Sequence, residues 1–524
     1  MEYALPKNLP IYAGGLGVLA GDYVQEAYNQ KFPMVAIGLF YSKKCWLNKA
    51  GNYCVINDPV ALGLKPVVDK FGNKIKAYLP IEGRDVAIQA WLYDEDTIPV
   101  YLLDTNFEEN DPSDRSITDI LYITEPGVRL KQELILGIGG VRMLEALGIK
   151  PSIYHMNEGH SAFLVFELAK MIMTEKSIDF RQAFTEAKKQ IAFTNHTLVV
   201  GGHDLFDRGL VAWVLNSYSV EIGMPIAELL NMGVGKDKKS FSTTDLAFEA
   251  ASKTNAVSKL HAEAAKQVWP DREMLPVTNG VSIERWDNVR VSADLFDKHA
   301  ENKRNLLQRI KNETGIKWGE DELIIAWARR LTGYKRPVSL FDDIERAKKL
   351  LNTPGRPVRV VFAGYPHYLD EEGNWFLARL RDLSDRDLKG SMVYLERYST
   401  DLSAILTSGA DVWLNTPIVG LEACGTSGMK AALNGTLVCS TNDGWLPEVD
   451  LGSIGFILDN ELSTSLFNTI SGQIVPQYYE SKAGSGPNWQ DKMVKSRSCI
   501  MDNFGADRML LDYIEKSYLP IMNI

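Results

Sequence analysis

Leu421-Glu422-Ala423-Cys424-Gly425-Thr426-Ser427-Gly428-Met429-Lys430-Ala431-Ala432-Leu433-Asn434-Gly435 sets one carboxylate, a run of small residues and a single lysine in an otherwise apolar stretch. A buried amine is costly unless something engages it. Thr426 and Ser427 are helix starters, Met429 to Leu433 sustain the helix and Gly435 stops it, so the pattern predicts a short helix with Lys430 in its first turn. The positive end of a helix disfavours a cation there. Holding the amine as a neutral imine of an aldehyde cofactor, whose phosphate meets the helix N-terminus or a glycine loop, removes the conflict. A solvated lysine after a Gly/Ser turn is the plain alternative.

Short apolar runs at Phe32 to Tyr41, Thr97 to Leu103 and Ser152 to His155 read as strands between helical stretches, the alternation of an α/β protein. Arg129 to Leu147 carries one apolar helical face, and its glycines Gly137, Gly139 and Gly140 suit close packing rather than phosphate binding. Residues 244 to 267 read as one long helix whose buried stripe continues through Val257, Leu260, Ala264 and Val268, with His261 beside it as a packed or surface histidine. Asp297 to Gly319 is charge-rich, and Leu323 to Ala328 opens a second strand and helix series continued by Pro357 to Ala363, Ser391 to Leu395, Asp411 to Leu414 and Gly435 to Ser440. Loops of two such halves facing each other place a site in the crevice between them. Ala506 to Ser517 reads as a final helix.

A chain of 524 residues suggests two or three domains, and 45% hydrophobic content supports sizeable cores. The net charge of −10 argues against a nucleic-acid binder while leaving room for a local basic pocket. Such a pocket is suggested by Arg329, Arg330, Lys335 and Arg336, four cations within eight residues after an apolar strand. Gly14-Gly15-Leu16-Gly17 has neither Walker nor dinucleotide spacing, yet close backbone N–H groups there can hold a phosphate. Among the five cysteines Cys45 and Cys54 can pair, though reduced thiols are the expectation. No histidine and carboxylate set has metal spacing, and neither a leader segment nor a membrane-length apolar run is read, so cytoplasmic residence is expected.

Glu422-Ala423-Cys424-Gly425-Thr426-Ser427-Gly428-Met429-Lys430 closely resembles the cofactor segment of the glycogen/α-glucan phosphorylases. Tyr12 to Asp22 resembles that family's glycine loop. Asn157-Glu158-Gly159-His160, Thr194-Asn195-His196-Thr197, Thr278-Asn279-Gly280 and Arg329 to Arg336 follow in family order, so the resemblance spans roughly residues 8 to 460. It implies a GT-B fold of two Rossmann-like domains facing a deep cleft: residues 1–290 with the glycine loop and sugar contacts, 291–490 binding cofactor and phosphate, and a helical 491–524 packing back on the first. It implies reversible phosphorolysis of an α-1,4-glucan by orthophosphate, releasing α-D-glucose 1-phosphate with retention, with pyridoxal 5'-phosphate as a Schiff base on Lys430.

By the same resemblance Lys430, Arg330, Lys335 and His196 are catalytic. Gly14, Gly15, Thr426, Tyr398 and Arg329 surround the cofactor, and Glu422, Asn279, His196, His160 and Gly425 meet the sugar. No metal, nucleic acid or membrane is implied, and a homodimer is preferred. The chain departs from the family pattern at Tyr365, where relatives often carry lysine, and over Asn415-Thr416-Pro417-Ile418-Val419-Gly420, which lacks the arginine pair common before the cofactor motif in short phosphorylases. Met1 to Pro6 begins almost at the family's first core strand, without the N-terminal helical region of many relatives. A nucleotide-sugar glucosyltransferase of the same fold and a non-catalytic glucan-binding relative are the alternatives.

Overall fold

The computed structural model describes residues 2–5, 9–48, 51–199, 202–290, 294–367, 369–484 and 489–523. Met1, Pro6 and residues 291–293, where the expected domain boundary falls, lie outside them.

Continuous apolar runs become buried parallel strands because both faces of the sheet are covered by helices. The largest sheet has six parallel strands in the order Met392–Leu395, Val358–Ala363, Leu323–Ala328, Val412–Asn415, Leu437–Thr441, Gly455–Leu458. The chain direction across this sheet reverses between Leu323–Ala328 and Val412–Asn415, a switch point at which the loops after the strands part and leave room for a ligand. A four-stranded parallel sheet orders Leu275–Pro276, Lys253–Ala256, Ile191–Asn195 and Tyr154–Asn157. A five-stranded mixed sheet is built on Arg84–Tyr93, and the hairpin Lys43–Asn48/Gly51–Ile56 stands apart.

Expected strands are found within a few residues of their predicted bounds. The expected helix over 244–267 is broken: Thr243–Ala250 and Lys259–Val268 are helical, but Lys253–Ala256 is a strand paired on both sides. Two ladders of hydrogen bonds outweigh the weak helix preference of Lys-Thr-Asn, and Ser258 Oγ restarts the helix by accepting from His261 N at 3.0 Å. The face buried by that helix is His261, Ala262 and Ala265 rather than the predicted stripe. The glycines of 129–147 serve packing as expected. A Cβ on Gly137 would lie 2.8 Å from Leu164 N, and one on Gly139 would lie 2.6 Å from Ile88 Cδ1.

The expectation of reduced thiols fails at Cys45 and Cys54, which face each other across the hairpin and form a disulfide. Their direct cross-strand register already brings the two Cβ atoms together.

The helix Ala506–Tyr513 and the helical segments Ile514–Tyr518 and Leu519–Met522 that continue it return to the four-stranded sheet. Tyr513 and Tyr518 join a core with Leu19, Ala192 and Val277. Beneath them His155 links Tyr518 (2.7 Å) to Thr194 (2.7 Å), and Tyr518 meets Tyr23 at 2.6 Å. The preceding helix, Trp489–Asn503, packs through Ile500 on Met429 and Leu433 of the Lys430 helix. One C-terminal segment therefore spans both parallel sheets. No single helix among the described residues is long and apolar enough to cross a membrane.

Candidate functional site

Gly425, at φ +82°, turns the chain into the helix Thr426–Leu433. That conformation suits glycine and leaves the first turn without a side-chain cap. The helix begins at Thr426 as expected, but Lys430 is the fifth of its eight residues and so falls in the last turn rather than the first. The macrodipole therefore does not oppose a cation at Lys430. Burial does. Lys430 is 5% exposed, its Nζ lies 4.0 Å from the Trp286 ring centroid, and it has no hydrogen-bond acceptor among the described residues. Desolvation pulls the amine down to about 8, against the opposing field of Asp22. Asp22 is held by Trp286 Nε1 (2.8 Å) and Arg285 (3.2 Å), so the aspartate behind Lys430 is committed to other donors.

A second cluster lies where Leu323–Ala328 ends. Arg329 donates to Glu422 Oε2 (3.1 Å) and Ser427 Oγ (3.1 Å), and Lys335 Nζ lies 3.2 Å from Glu422 Oε2. Burial raises the Glu422 carboxyl, but Lys335 and Arg329 outweigh it and leave the group below its ordinary value. Lys335 is itself pulled down to about 8 by burial, with Glu422 opposing the fall and Arg329 adding to it. Arg329 Nε is buried without a partner, so the cluster keeps an unused donor. Arg330 is exposed, and its charge acts on Lys335, His367 and Glu2. Arg336 is spent on structure, donating to the carbonyls of Thr416 (2.8 Å) and Pro417 (2.7 Å).

The glycine loop reaches this region. Tyr12 Oη accepts from Thr400 N at 3.2 Å, close to Tyr398, whose hydroxyl lies 3.5 Å from Ala328 O. Gly14 and Gly15 have open space where a Cβ would stand, and Gly15 begins the helix Gly15–Asn29. An open backbone loop, an uncapped helix start at Thr426, the spare Arg329 Nε and a desolvated Lys430 amine together fit a phosphate-bearing aldehyde.

The remaining expected residues gather on the other sheet. His196 N donates to Glu158 Oε1 (2.5 Å), and His196 Nε2 meets Asn157 Oδ1. Burial holds the His196 ring neutral, its value lowered to about 3. Asn279 is buried with its Oδ1 unpartnered, while Arg508 donates to the carbonyls of Thr278 (2.7 Å) and Asn279 (3.2 Å). Thr278 Oγ1 donates to Glu448 at 2.8 Å, and Ser258 Oγ to Ala423 O at 2.6 Å, so the sugar-side loops are bonded to the lysine-side loops. His160 is buried, with Nδ1 3.2 Å from Arg129.

Sequence reasoning missed Trp286, Asp22, Arg129 and Arg508, single residues whose partners lie far away in the chain and which carry no local pattern. Glu158 did carry a signal in Asn-Glu-Gly-His. Its φ of +67° with ψ 175° is a region other residues than glycine avoid, and burial lifts its carboxyl to about 8. Of the departures, Tyr365 Oη accepts from Arg397 N, and Ile418 and Val419 are exposed beside the Arg336 clamp.

Cations at the end of a parallel sheet, near a glycine loop and a desolvated lysine, make a site whose chemistry suits an anionic ligand. Comparison of sequences makes that class specific. The carbohydrate phosphorylase family profile matches residues 286–451, the span holding Trp286, the Arg329/Lys335/Glu422 cluster and Lys430. The chain is 34% identical to the maltodextrin phosphorylase of Thermococcus litoralis, over 99% of this chain and 70% of that one. It is 32% identical to the glycogen phosphorylase of Aquifex aeolicus, over 99% and 85%, and 30% identical to an uncharacterized protein of Methanocaldococcus jannaschii, over 99% and 98%. The chain belongs to the carbohydrate phosphorylase family.

Proposed function

We propose that this protein catalyses reversible phosphorolysis of α-1,4-glucans, taking linear maltodextrins, and glycogen or starch where accessible, to α-D-glucose 1-phosphate with retention. The observation that carries this reading is Glu422, 13% exposed, held between Arg329 and Lys335 in the loop that leads into the Lys430 helix. Two phosphates brought close together need cations that water does not screen. Pyridoxal 5'-phosphate, when bound through Lys430, supplies a phosphate group that exchanges a proton with orthophosphate. Gly14, Gly15, Thr426, Tyr398 and Arg329 would hold that group, and Gly425 lies with Glu422 on the glucosyl side. Lys335 and Arg330 hold orthophosphate, which protonates the departing glycosidic oxygen and then captures the oxocarbenium-like sugar. Glu422, Asn279, His196 and His160 orient the glucosyl hydroxyls, and neutral His196 keeps positive charge away from the developing cation.

The architecture supporting this reading is a GT-B pair of Rossmann-like domains, 1–290 and 291–490, facing across a cleft, with 491–524 strapping them together. A homodimer in the cytoplasm completes the proposal. Sedimentation at several concentrations tests the dimer, and a persistent single-chain mass rejects it. Incubation of cofactor-loaded protein with maltoheptaose and orthophosphate tests the activity: glucose 1-phosphate must appear, and its absence from folded, loaded protein sinks the reading. Turnover of UDP-glucose or ADP-glucose without pyridoxal phosphate selects the glucosyltransferase alternative. Tyr365 and the Ile418-Val419 pair favour a second reading, a glucan-binding relative, which maltodextrin binding without phosphorolysis at full cofactor occupancy selects.

A further inference from the structure

Arg129 sits in a buried charge cluster that the reaction above does not use. Its guanidinium lies 2.9 Å from Asp204, 3.3 Å from Glu133 and 3.2 Å from His160 Nδ1, and packs over the Tyr122 ring. Ligand atoms of Glu133, His160 and Asp204 lie within 4.8 Å of one another, but the cation among them is Arg129 itself. A guanidinium has only donors. Its contact with His160 therefore has one chemical sense: Nδ1 accepts, and the ring proton sits on Nε2. Asp204 aims the guanidinium by accepting from Nε (3.1 Å) and Nη2 (2.9 Å), while burial raises the neighbouring Glu133 carboxyl well above its ordinary value, so the guanidinium cannot swing away without leaving Asp204 unpaired.

We propose that Arg129 is a positioning residue of the glucosyl site: by donating to Nδ1 it fixes His160 as the Nε2–H tautomer, which then offers a sugar hydroxyl a donor without a charge. This rests on the phosphorolysis reading for the identity of the acceptor. His160 Nε2 has no hydrogen-bond partner among the described residues. The groups facing the ring are Arg129 and Glu133 on its own side, Asp204 from the loop before Leu205–Asp207, the Tyr122 ring edge and His196. Burial and then Arg129 push the imidazole well below its ordinary value, against the pull of Asp204. Loss of the guanidinium removes both the tautomer lock and part of that depression, so the His160 ring takes up a proton more readily than in wild type while burial still holds it below the ordinary histidine range.

The test measures the tautomer and the pH profile separately. In cofactor-loaded protein with ¹⁵N-labelled histidine, one of the seven histidines is assigned to His160 by loss of its signal in His160→Gln. Wild-type His160 should show a protonated Nε2 and a bare Nδ1, unchanged between pH 5.5 and 8. A protonated Nδ1, or titration of the ring in that window, overturns the proposal without any Arg129 variant. Arg129→Gln should retain the Lys430 adduct, raise the KM for maltoheptaose roughly 10-fold with a smaller change in kcat, and move the acid limb of kcat/KM to higher pH than in wild type. A loss that is uniform across pH, or one confined to kcat, overturns it. Wild-type protein without phosphorolysis overturns the functional reading instead and leaves the tautomer measurement standing.

Discussion

Lys430 is buried and Lys335 partly so, and both are pulled down to about 8, yet they arrive there by different routes. Lys430 rests on the face of Trp286 with its nearest carboxylate, Asp22, occupied by two other donors. Lys335 sits among charges, 3.2 Å from Glu422 and close enough to Arg329 to be repelled by it. Desolvation without a counter-charge yields a nucleophilic amine; desolvation among ions yields a cation waiting for an anion. Equal acidity thus conceals opposite tasks, and only the neighbours tell them apart.

Removing the amine itself is the strongest way to break this contrast. Lys430→Ala should abolish cofactor retention and phosphorolysis, and borohydride reduction of wild type followed by peptide mass analysis should place the adduct on Lys430. An adduct found on Lys335 would erase the distinction. Lys335→Ala should still form the adduct but lower kcat/KM for orthophosphate by about 30- to 5,000-fold, the range for deleting one partner of a desolvated charged pair. Arg330→Ala, at an exposed position, should cost about 10-fold or less in the same assay.

Stability sharpens the comparison further. In cofactor-free protein each lysine binds its proton less readily when folded than when unfolded, so between about pH 8 and the unfolded value of 10.5 the unfolded chain holds more protons. Stability must therefore rise with pH through that window, and the cost is fully present below pH 8. Lys430→Met should remove one share of it, stabilising the cofactor-free protein at pH 7 by roughly 1–3 kcal/mol, as read from denaturant midpoints. No gain, or a loss, would mean that Asp22 pairs with Lys430 after all. The smallest effect belongs to the hairpin: reducing Cys45–Cys54, nine residues apart, should cost about 2 kcal/mol or less because the closed loop is short, with the adduct on Lys430 intact.

The contrast between the lysines was half visible in the sequence. Lys430 among apolar residues, and Arg329 to Arg336 after a buried strand, are local patterns, and the strand Leu323–Ala328 appears with the bounds its apolar run announces. Trp286 and Asp22 decide what Lys430 is, but their meeting spans 264 positions and leaves no periodic trace. Lys253–Ala256 was hidden for a related reason: its strand character comes from neighbours on both sides rather than from its own residues. The disulfide was obscured by chemistry that a spacing of nine does not encode, since the pairing depends on hairpin register.

The C-terminal segment has a consequence for how the chain is made. Tyr518 meets Tyr23 across 495 positions, and synthesis at about 5–20 residues per second separates the two by roughly 25–100 s. For that interval Leu19, Ala192 and Val277 lack the aromatic cover they have in the finished molecule. The first half of the protein is thus born with an open apolar face, and residues made much later close it.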